Sequence, residues 1–97
     1  MQFIVIAHDY PDAFERRLAA RQKHIELGDQ MKAEGKQIFG VAMLNEKGEM
    51  MGSAIICEFD SRTELNEWLK VEPYVTGRVW EKIQVIPCKV GPSFIAR

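Results

Sequence analysis

Residues 37–59, QIFGVAMLNEKGEMMGSAIICEF, decide the fold of this chain. Two apolar runs rich in β-forming residues, QIFGVAML (37–44) and SAIICEF (53–59), flank the polar, glycine-containing NEKGEMMG (45–52). This pattern predicts two antiparallel strands joined by a hairpin connection. Neither run alternates cleanly between apolar and polar residues, since Glu58 is the one charged residue in either of them. We therefore expect both faces of the hairpin to be covered.

The rest of the chain adds a strand and a helix on each side of this hairpin. A capping box, Ser61 to Glu64, begins the second helix, and Pro73 prevents its continuation. Gly35 is a natural end for the first helix. The predicted elements are a strand at 3–7, a helix at 12–34, a helix at about 62–70 and a strand at 79–87. The order βαββαβ predicts one α+β domain over residues 1–97, with a ferredoxin-like antiparallel sheet and two helices on one of its faces.

The face of the sheet away from the helices needs a cover of its own. An antiparallel sheet with a solvated face normally shows alternating polar residues, which strands two and three lack. A second copy of the same sheet would cover this face. We therefore expect a homodimer that pairs through the sheet.

Composition excludes several classes of protein. The chain has 97 residues and a net charge of −1, so bulk electrostatics favours neither nucleic acid nor an anionic membrane as a partner. No apolar run is long enough to span a bilayer, and the N-terminus lacks the basic region and cleavage site of a signal peptide. Cys57 and Cys88 lie in apolar runs without a C-x-x-C motif, which indicates packed thiols in a cytoplasmic protein and no metal site.

One ridge of the first helix carries polar residues towards the sheet. Arg17, Arg21, His24 and Gly28 are spaced by four, three and four residues, which aligns them along the helix. Apolar residues lie in two groups beside this ridge: Phe14, Leu18, Ala20, Ile25, Leu27 and Met31. Gly28 is expected to leave open space beside His24. The ridge either lines a small anionic pocket or satisfies structural carbonyls and carboxylates, because buried charges need partners.

A second stretch gives the chain a family resemblance. Residues 72–80, EPYVTGRVW, lead into a strand that ends Ile86-Pro87-Cys88-Lys89. These residues resemble the YCII-related (YciI-like) family, as do Asp9 after the first strand and the first-helix pattern R-R-L-x-x-R-x-x-H of residues 16–24. The resemblance covers almost the whole chain. It implies a ferredoxin-like fold that dimerises into an α/β barrel, and an active site built around a histidine and an acid.

Carried over residue by residue, the resemblance assigns the histidine to His24 and the acid to Asp9 or Glu72. Glu72 stands where many members have aspartate, so the carboxylate is retained on a longer arm. Tyr74 is either a phenol donor or a packing residue beneath the loop. Arg78 departs from the glycine common in the family, and either adds a donor for an anionic substrate or lies on the surface. Arg17 and Arg21 complete the candidate substrate-binding residues.

These residue types bound the chemistry. An imidazole oriented by a carboxylate acts as a general base or acid, and arginines hold a carboxylate or enolate oxygen. This combination suits elimination or isomerisation of a small oxygenated acid or phenol, with no cofactor. One member of the family acts on a chlorinated hydroxyquinol as a dehydrochlorinase. The alternatives are a non-catalytic protein that binds a small ligand in the same cleft and, third, a cofactor-free monooxygenase-like protein.

Overall fold

A computed structural model describes residues 1–95 and has the predicted order of elements. The elements are β1 (Gln2–Asp9), α1 (Phe14–Ala33), β2 (Gln37–Leu44), β3 (Met50–Glu58), α2 (Arg62–Val71), α3 (Pro73–Thr76) and β4 (Trp80–Cys88), followed by a 3₁₀ turn (Pro92–Phe94). The ferredoxin-like α+β fold predicted from the sequence is confirmed. Within the described range, no helix is both long and apolar enough to cross a membrane.

The short helix α3 was not predicted from the sequence. Pro73 does end α2 as expected, but it also begins a new helix, because the first helical position needs no backbone N–H donor. The Glu72 side chain caps this helix by accepting a hydrogen bond from the Tyr74 backbone N–H at 3.1 Å. This turn of helix fixes the directions of Glu72 and Tyr74.

The sheet has the strand order β2-β3-β1-β4, and all neighbours are antiparallel. On one face Phe3, Val5 and Ala7 of β1 are almost fully buried and belong to the hydrophobic core with Leu65 and Trp68 of α2. The helices therefore cover this face, as the sequence predicted.

The opposite face of the sheet is apolar at its centre, and polar pairs such as His8 beside Lys82 lie at its margin. One cross-strand row on this face contains Ile6, Ala54 and Val41. Another row of the same face contains Ile4 and Ile56. Val41 is 46% exposed, and Phe39 on the same edge strand is 62% exposed. The apolar composition expected from the lack of alternation is therefore present on this surface.

Helix α1 buries one residue of its polar ridge, Arg17, more deeply than part of its apolar surface, whereas Arg21 of the same ridge is exposed. Arg17 is 2% exposed, whereas Phe14, Leu18 and Ile25 are 52%, 51% and 37% exposed. The expectation that both apolar groups are buried is therefore wrong for these three residues. Ala20, Leu27 and Met31 lie on the other side of the ridge, and this is the side that packs against the core.

Gly52 is required by the close approach of three strands. A Cβ atom at this position would collide with the Ala7 carbonyl oxygen and the terminal methyl of Met43. We expect Gly52→Ala to lower the free energy of unfolding by about 1–3 kcal/mol through overpacking. Gly40→Ala is the matched control, because its Cβ would lie at an ordinary 3.7 Å from Ile55. Urea denaturation measures both, and equal stabilities of the two variants would contradict this reading of the sheet.

The two thiols are free and differ in environment. Cys57 is buried and Cys88 is partly exposed. Burial, with the neighbouring Cys88 as a second cause, raises the pKa of Cys57 to about 12. At pH 8 the reactive thiolate of Cys57 is then about one part in 10⁴. We expect iodoacetamide to label folded Cys88→Ser barely and Cys57→Ser readily, as mass spectrometry can measure. Fast labelling of folded Cys88→Ser would contradict the burial of Cys57.

Candidate active site

A cleft of about 450 Å³ separates α1 from the edge strand β2. Small residues on β2, Gly40 and Ala42, keep its floor low, and Ile38 and Ile55 make it apolar. The polar residues on its walls come from α1, β2, β3 and α3: Arg17, Arg21, His24, Asp29, Lys32, Gln37, Ser53 and Tyr74. The predicted ridge of α1 therefore forms one wall of a cleft large enough for a small molecule.

His24 is paired with Glu72 in this wall. Its Nδ1 lies 2.5 Å from Glu72 Oε1, and the Glu72 side chain is 2% exposed. The same carboxylate oxygen accepts the Tyr74 backbone N–H, so its position is fixed by α3. A carboxylate that accepts the Nδ1–H proton leaves Nε2 as the acceptor nitrogen. Within residues 1–95, Nε2 makes no hydrogen bond.

Tyr74 lies against the imidazole and also lines the cleft. The rings of His24 and Tyr74 stack at a centroid distance of 3.9 Å and an interplanar angle of 12°. Burial raises the pKa of the Tyr74 phenol; the charges of Arg17 and Arg21 oppose this rise and that of Glu72 adds to it. The phenol is therefore neutral at physiological pH and can donate a hydrogen bond in the cleft.

Asp9 is paired with Arg17 and not with His24. Arg17 Nε lies 2.8 Å from Asp9 Oδ2, with side-chain exposures of 3% and 7%. The guanidinium also donates to the Gly52 carbonyl at 2.7 Å and to Ser53 Oγ at 2.8 Å, and it lies 4.7 Å from the centre of the Tyr74 ring. Arg17 therefore satisfies a structural carboxylate and a structural carbonyl, which is one of the two roles predicted for the ridge.

Arg21 and Arg78 occupy different surroundings. Arg21 is exposed, lines the cleft and has no ion pair among residues 1–95. Arg78 does not line the cleft, and its guanidinium lies 5.4 Å from the Tyr10 ring on the surface. Its φ of +58° lies in the left-handed region that favours glycine. Arg78 is exposed and lies outside this cleft, and its substrate-binding role stays a prediction.

Two details of the cleft were not predicted from the sequence. The space beside Gly28 is not open, because a Cβ there would lie 2.8 Å from Gln37 Oε1. Ser53 contributes a buried hydroxyl to the wall. Its place after Gly52, at the opening of an otherwise apolar strand, does not specify a function.

Comparison with known proteins places the chain in a family. The model of the YCII-related domain matches residues 1–89. This chain belongs to the YCII-related family. Protein YciI of Escherichia coli O6:H1 is 30% identical over 95 residues, which cover 92% of this chain and 97% of that protein. An uncharacterised protein of Haemophilus influenzae is 28% identical over the same share of each chain.

Solved structures share the fold of this YCII-related protein. The 5-chloro-2-hydroxyhydroquinone dehydrochlorinase TftG of Burkholderia phenoliruptrix, in complex with 2,5-dihydroxybenzoquinone, has a TM-score of 0.83 at 22% identity. The alignment covers 96% of this chain and 98% of that one. An antibiotic biosynthesis monooxygenase has a TM-score of 0.54 at 14% identity, covering 94% and 98%. At these identities the likeness concerns the fold alone.

Residues that could hold a metal ion do not converge in the described part of the chain. Among residues 1–95 there is no group of three or more histidine, cysteine, aspartate or glutamate side chains placed to bind one. The polar groups that line the cleft are an imidazole, a phenol, a hydroxyl, a carboxylate, an amide and cationic side chains.

Proposed function

We propose that this protein is a small-molecule enzyme in which His24 acts as the general base and Glu72 orients it. The observation that carries the proposal is the 2.5 Å contact between His24 Nδ1 and a buried carboxylate, in an imidazole that also borders the cleft. Burying the Glu72 carboxylate costs desolvation free energy. Its hydrogen bond to Nδ1 fixes the tautomer and the orientation of the His24 ring. A histidine that only filled space would not need this partner.

The reaction class follows from what each group can do. The Nε2 atom of His24 removes a proton from a substrate atom next to a carbonyl, and the electron pair left behind forms a double bond. In an elimination that bond forms to the adjacent carbon as its carbon–chlorine bond breaks, so that chloride leaves and His24 holds the proton, a net loss of HCl. In an isomerisation the proton returns to a different atom. Tyr74 and Arg21 line the same cleft, and in this proposal they stabilise the oxygen on which negative charge develops.

Asp9 takes a supporting role in this proposal. Because its carboxylate is bound to Arg17, it does not act as the partner of the imidazole. The Asp9–Arg17 pair instead holds Arg17 beneath the Tyr74 ring, close to the cleft floor. Arg17 thus acts through its positive charge and Arg21 through direct contact with an anionic substrate.

The substrate is a small oxygenated compound, anionic or phenolic. The cleft combines apolar walls with cationic Arg21 and Lys32, which suits a planar ring that carries ionised oxygens. The related fold of a dehydrochlorinase in complex with 2,5-dihydroxybenzoquinone supports this class. That protein is 22% identical to this one, so its substrate is a starting point for a screen.

A second candidate function is the binding of a small ligand without catalysis. The observation that favours it is the Arg17 side chain, whose Nε and Nη2 atoms already donate to Asp9, Gly52 and Ser53. The same cleft would then hold a ligand that leaves unchanged. Turnover distinguishes this function from the enzymatic one.

The apolar sheet face supports an assembly of two copies in the cytoplasm. We expect a homodimer in which this face, with Ile4, Ile6, Val41 and Ile56, is buried against its equivalent. Sedimentation at micromolar concentration measures the mass. A clean monomer of 11.1 kDa would contradict the dimer, and Val41→Glu, which puts a charge on this face, is expected to give that monomer.

A turnover screen tests the enzymatic proposal. The panel contains 5-chloro-2-hydroxyhydroquinone, with chloride release as the readout, and hydroxyquinols, lactones and unsaturated acids followed by ultraviolet absorbance. We expect turnover of at least one ionisable oxygenated compound, and its loss in His24→Ala. Binding of such compounds without turnover would favour the second function, and neither binding nor turnover across the panel would contradict both.

A further inference from the structure

Ser53 presents a hydroxyl to the cleft under unusual constraint. It lies on β3 between Ala7 of β1 and Ala42 of β2, it is 4% exposed, and it lines the cleft. Its Oγ atom is 2.8 Å from Arg17 Nη2 and 3.2 Å from Trp80 Nε1. Both neighbours approach the same oxygen.

The two neighbours determine what the hydroxyl can still do. Arginine and tryptophan side chains carry only N–H donors, so Ser53 Oγ must accept both hydrogen bonds. A hydroxyl has two acceptor lone pairs and one proton, and both lone pairs are therefore used. The hydroxyl proton can still be donated, and no acceptor among residues 1–95 receives it in a hydrogen bond. Buried polar hydrogens normally have a partner.

We infer that Ser53 is a substrate-binding residue whose hydroxyl proton is donated to an oxygen of the ligand in the cleft. This inference deepens the proposed function and rests on it. Because the lone pairs are occupied, Ser53 cannot accept a hydrogen bond from the ligand. The ligand must therefore present an acceptor oxygen, a carbonyl, enolate or phenolate, at this place.

The charge of Arg17 makes this donor stronger. A hydroxyl that accepts from a guanidinium is polarised, and its own proton becomes a better donor. The neutral phenol of Tyr74 borders the same cleft and contacts the same Arg17. Together these two hydroxyl groups favour a ligand oxygen in its deprotonated form, which is the form that His24 produces when it removes a proton.

Calorimetric titration with 2,5-dihydroxybenzoquinone tests the role of Ser53. We expect Ser53→Ala to weaken binding by about tenfold or more, since it removes a hydrogen bond to a charged oxygen. Ser53→Thr keeps the hydroxyl and is expected to restore most of the affinity. Urea denaturation of both variants separates loss of folding from loss of binding. Affinity in folded Ser53→Ala equal to that of the unaltered protein would overturn the inference.

Neutron diffraction of the ligand-free crystal gives a test that does not depend on the proposed function. We expect the Ser53 deuterium to point into the cleft. A deuterium directed at a protein acceptor would overturn the inference, even if the titration showed binding. If the unaltered protein does not bind the quinone, a deuterium in the cleft still supports the donor role of Ser53, and the proposed substrate class alone fails.

Discussion

Replacing His24 with alanine is expected to lower turnover of a screened substrate by about 10²- to 10⁴-fold, the usual contribution of a general acid–base group. The imidazole is bound to Glu72 at Nδ1 and makes no protein hydrogen bond at Nε2 within residues 1–95, so it is the base that the cleft offers. Circular dichroism and sedimentation must show that the fold and assembly persist, because the change also leaves the buried Glu72 carboxylate without its imidazole partner.

Two companion variants sharpen this test. Lys23→Ala removes a neighbouring exposed side chain of α1 and is expected to leave turnover unchanged. Glu72→Gln keeps the size of the side chain but not its charge, and is expected to cost less than His24→Ala because the imidazole remains. Turnover in His24→Ala equal to that in Lys23→Ala would rule out His24 as the base.

Replacing Arg17 with methionine is expected to lower the free energy of unfolding by about 3–5 kcal/mol, because it leaves the buried Asp9 carboxylate without its partner. The change also removes the donors to the Gly52 carbonyl and to Ser53 Oγ. Urea denaturation measures the loss. Arg16→Met is the matched control, since Arg16 is bonded at the surface to two backbone carbonyls, and such a site is expected to change stability by about 0.5 kcal/mol.

A double variant distinguishes the ion pair from simple loss of packing. Asp9→Asn in the Arg17→Met background removes the unpaired charge, so we expect it to recover part of the lost stability. A further loss in the double variant, equal to that of Asp9→Asn alone, would mean that the two side chains contribute independently. Such additivity would contradict the pairing of Asp9 with Arg17.

Much of the fold could be predicted because local patterns and tertiary packing agree. The hairpin at 37–59 and the capping box from Ser61 to Glu64 gave elements that the structure reproduces within a few residues. The strands extend beyond the predicted ranges because backbone pairing continues past the apolar runs: β3 begins at Met50 and β1 ends at Asp9. Helix α3 was not predicted, because Pro73 both ends α2 and begins α3.

The sequence predicted which residues form the candidate site, but it did not predict which of them pair with each other. Helical spacing indicated that Arg17, Arg21 and His24 share one direction, and all three line the cleft. Whether Asp9 or Glu72 pairs with His24 depends on residues far apart in the chain, since Glu72 is 48 positions from His24. No pattern along the sequence measures that separation in space, so Asp9 and Glu72 remained alternatives.

The exposure of α1 is a second case of tertiary control. An amphipathic wheel shows which residues share a side, but it does not show how far the helix is rotated against the sheet. Here Arg17 faces inward because Asp9 and the Gly52 carbonyl compensate its charge, and Phe14 and Leu18 turn outward. A rule that places apolar residues inside would have rotated the helix the other way.

The central claim, that His24 faces a bound substrate while Glu72 orients it, is tested most directly by a crystal structure with 2,5-dihydroxybenzoquinone. We expect the quinone in the cleft between α1 and β2, with one of its oxygens within about 3.2 Å of His24 Nε2. We also expect His24 Nδ1 to remain hydrogen-bonded to Glu72. A quinone bound away from this cleft, or a His24 ring turned from Glu72 towards solvent, would contradict it.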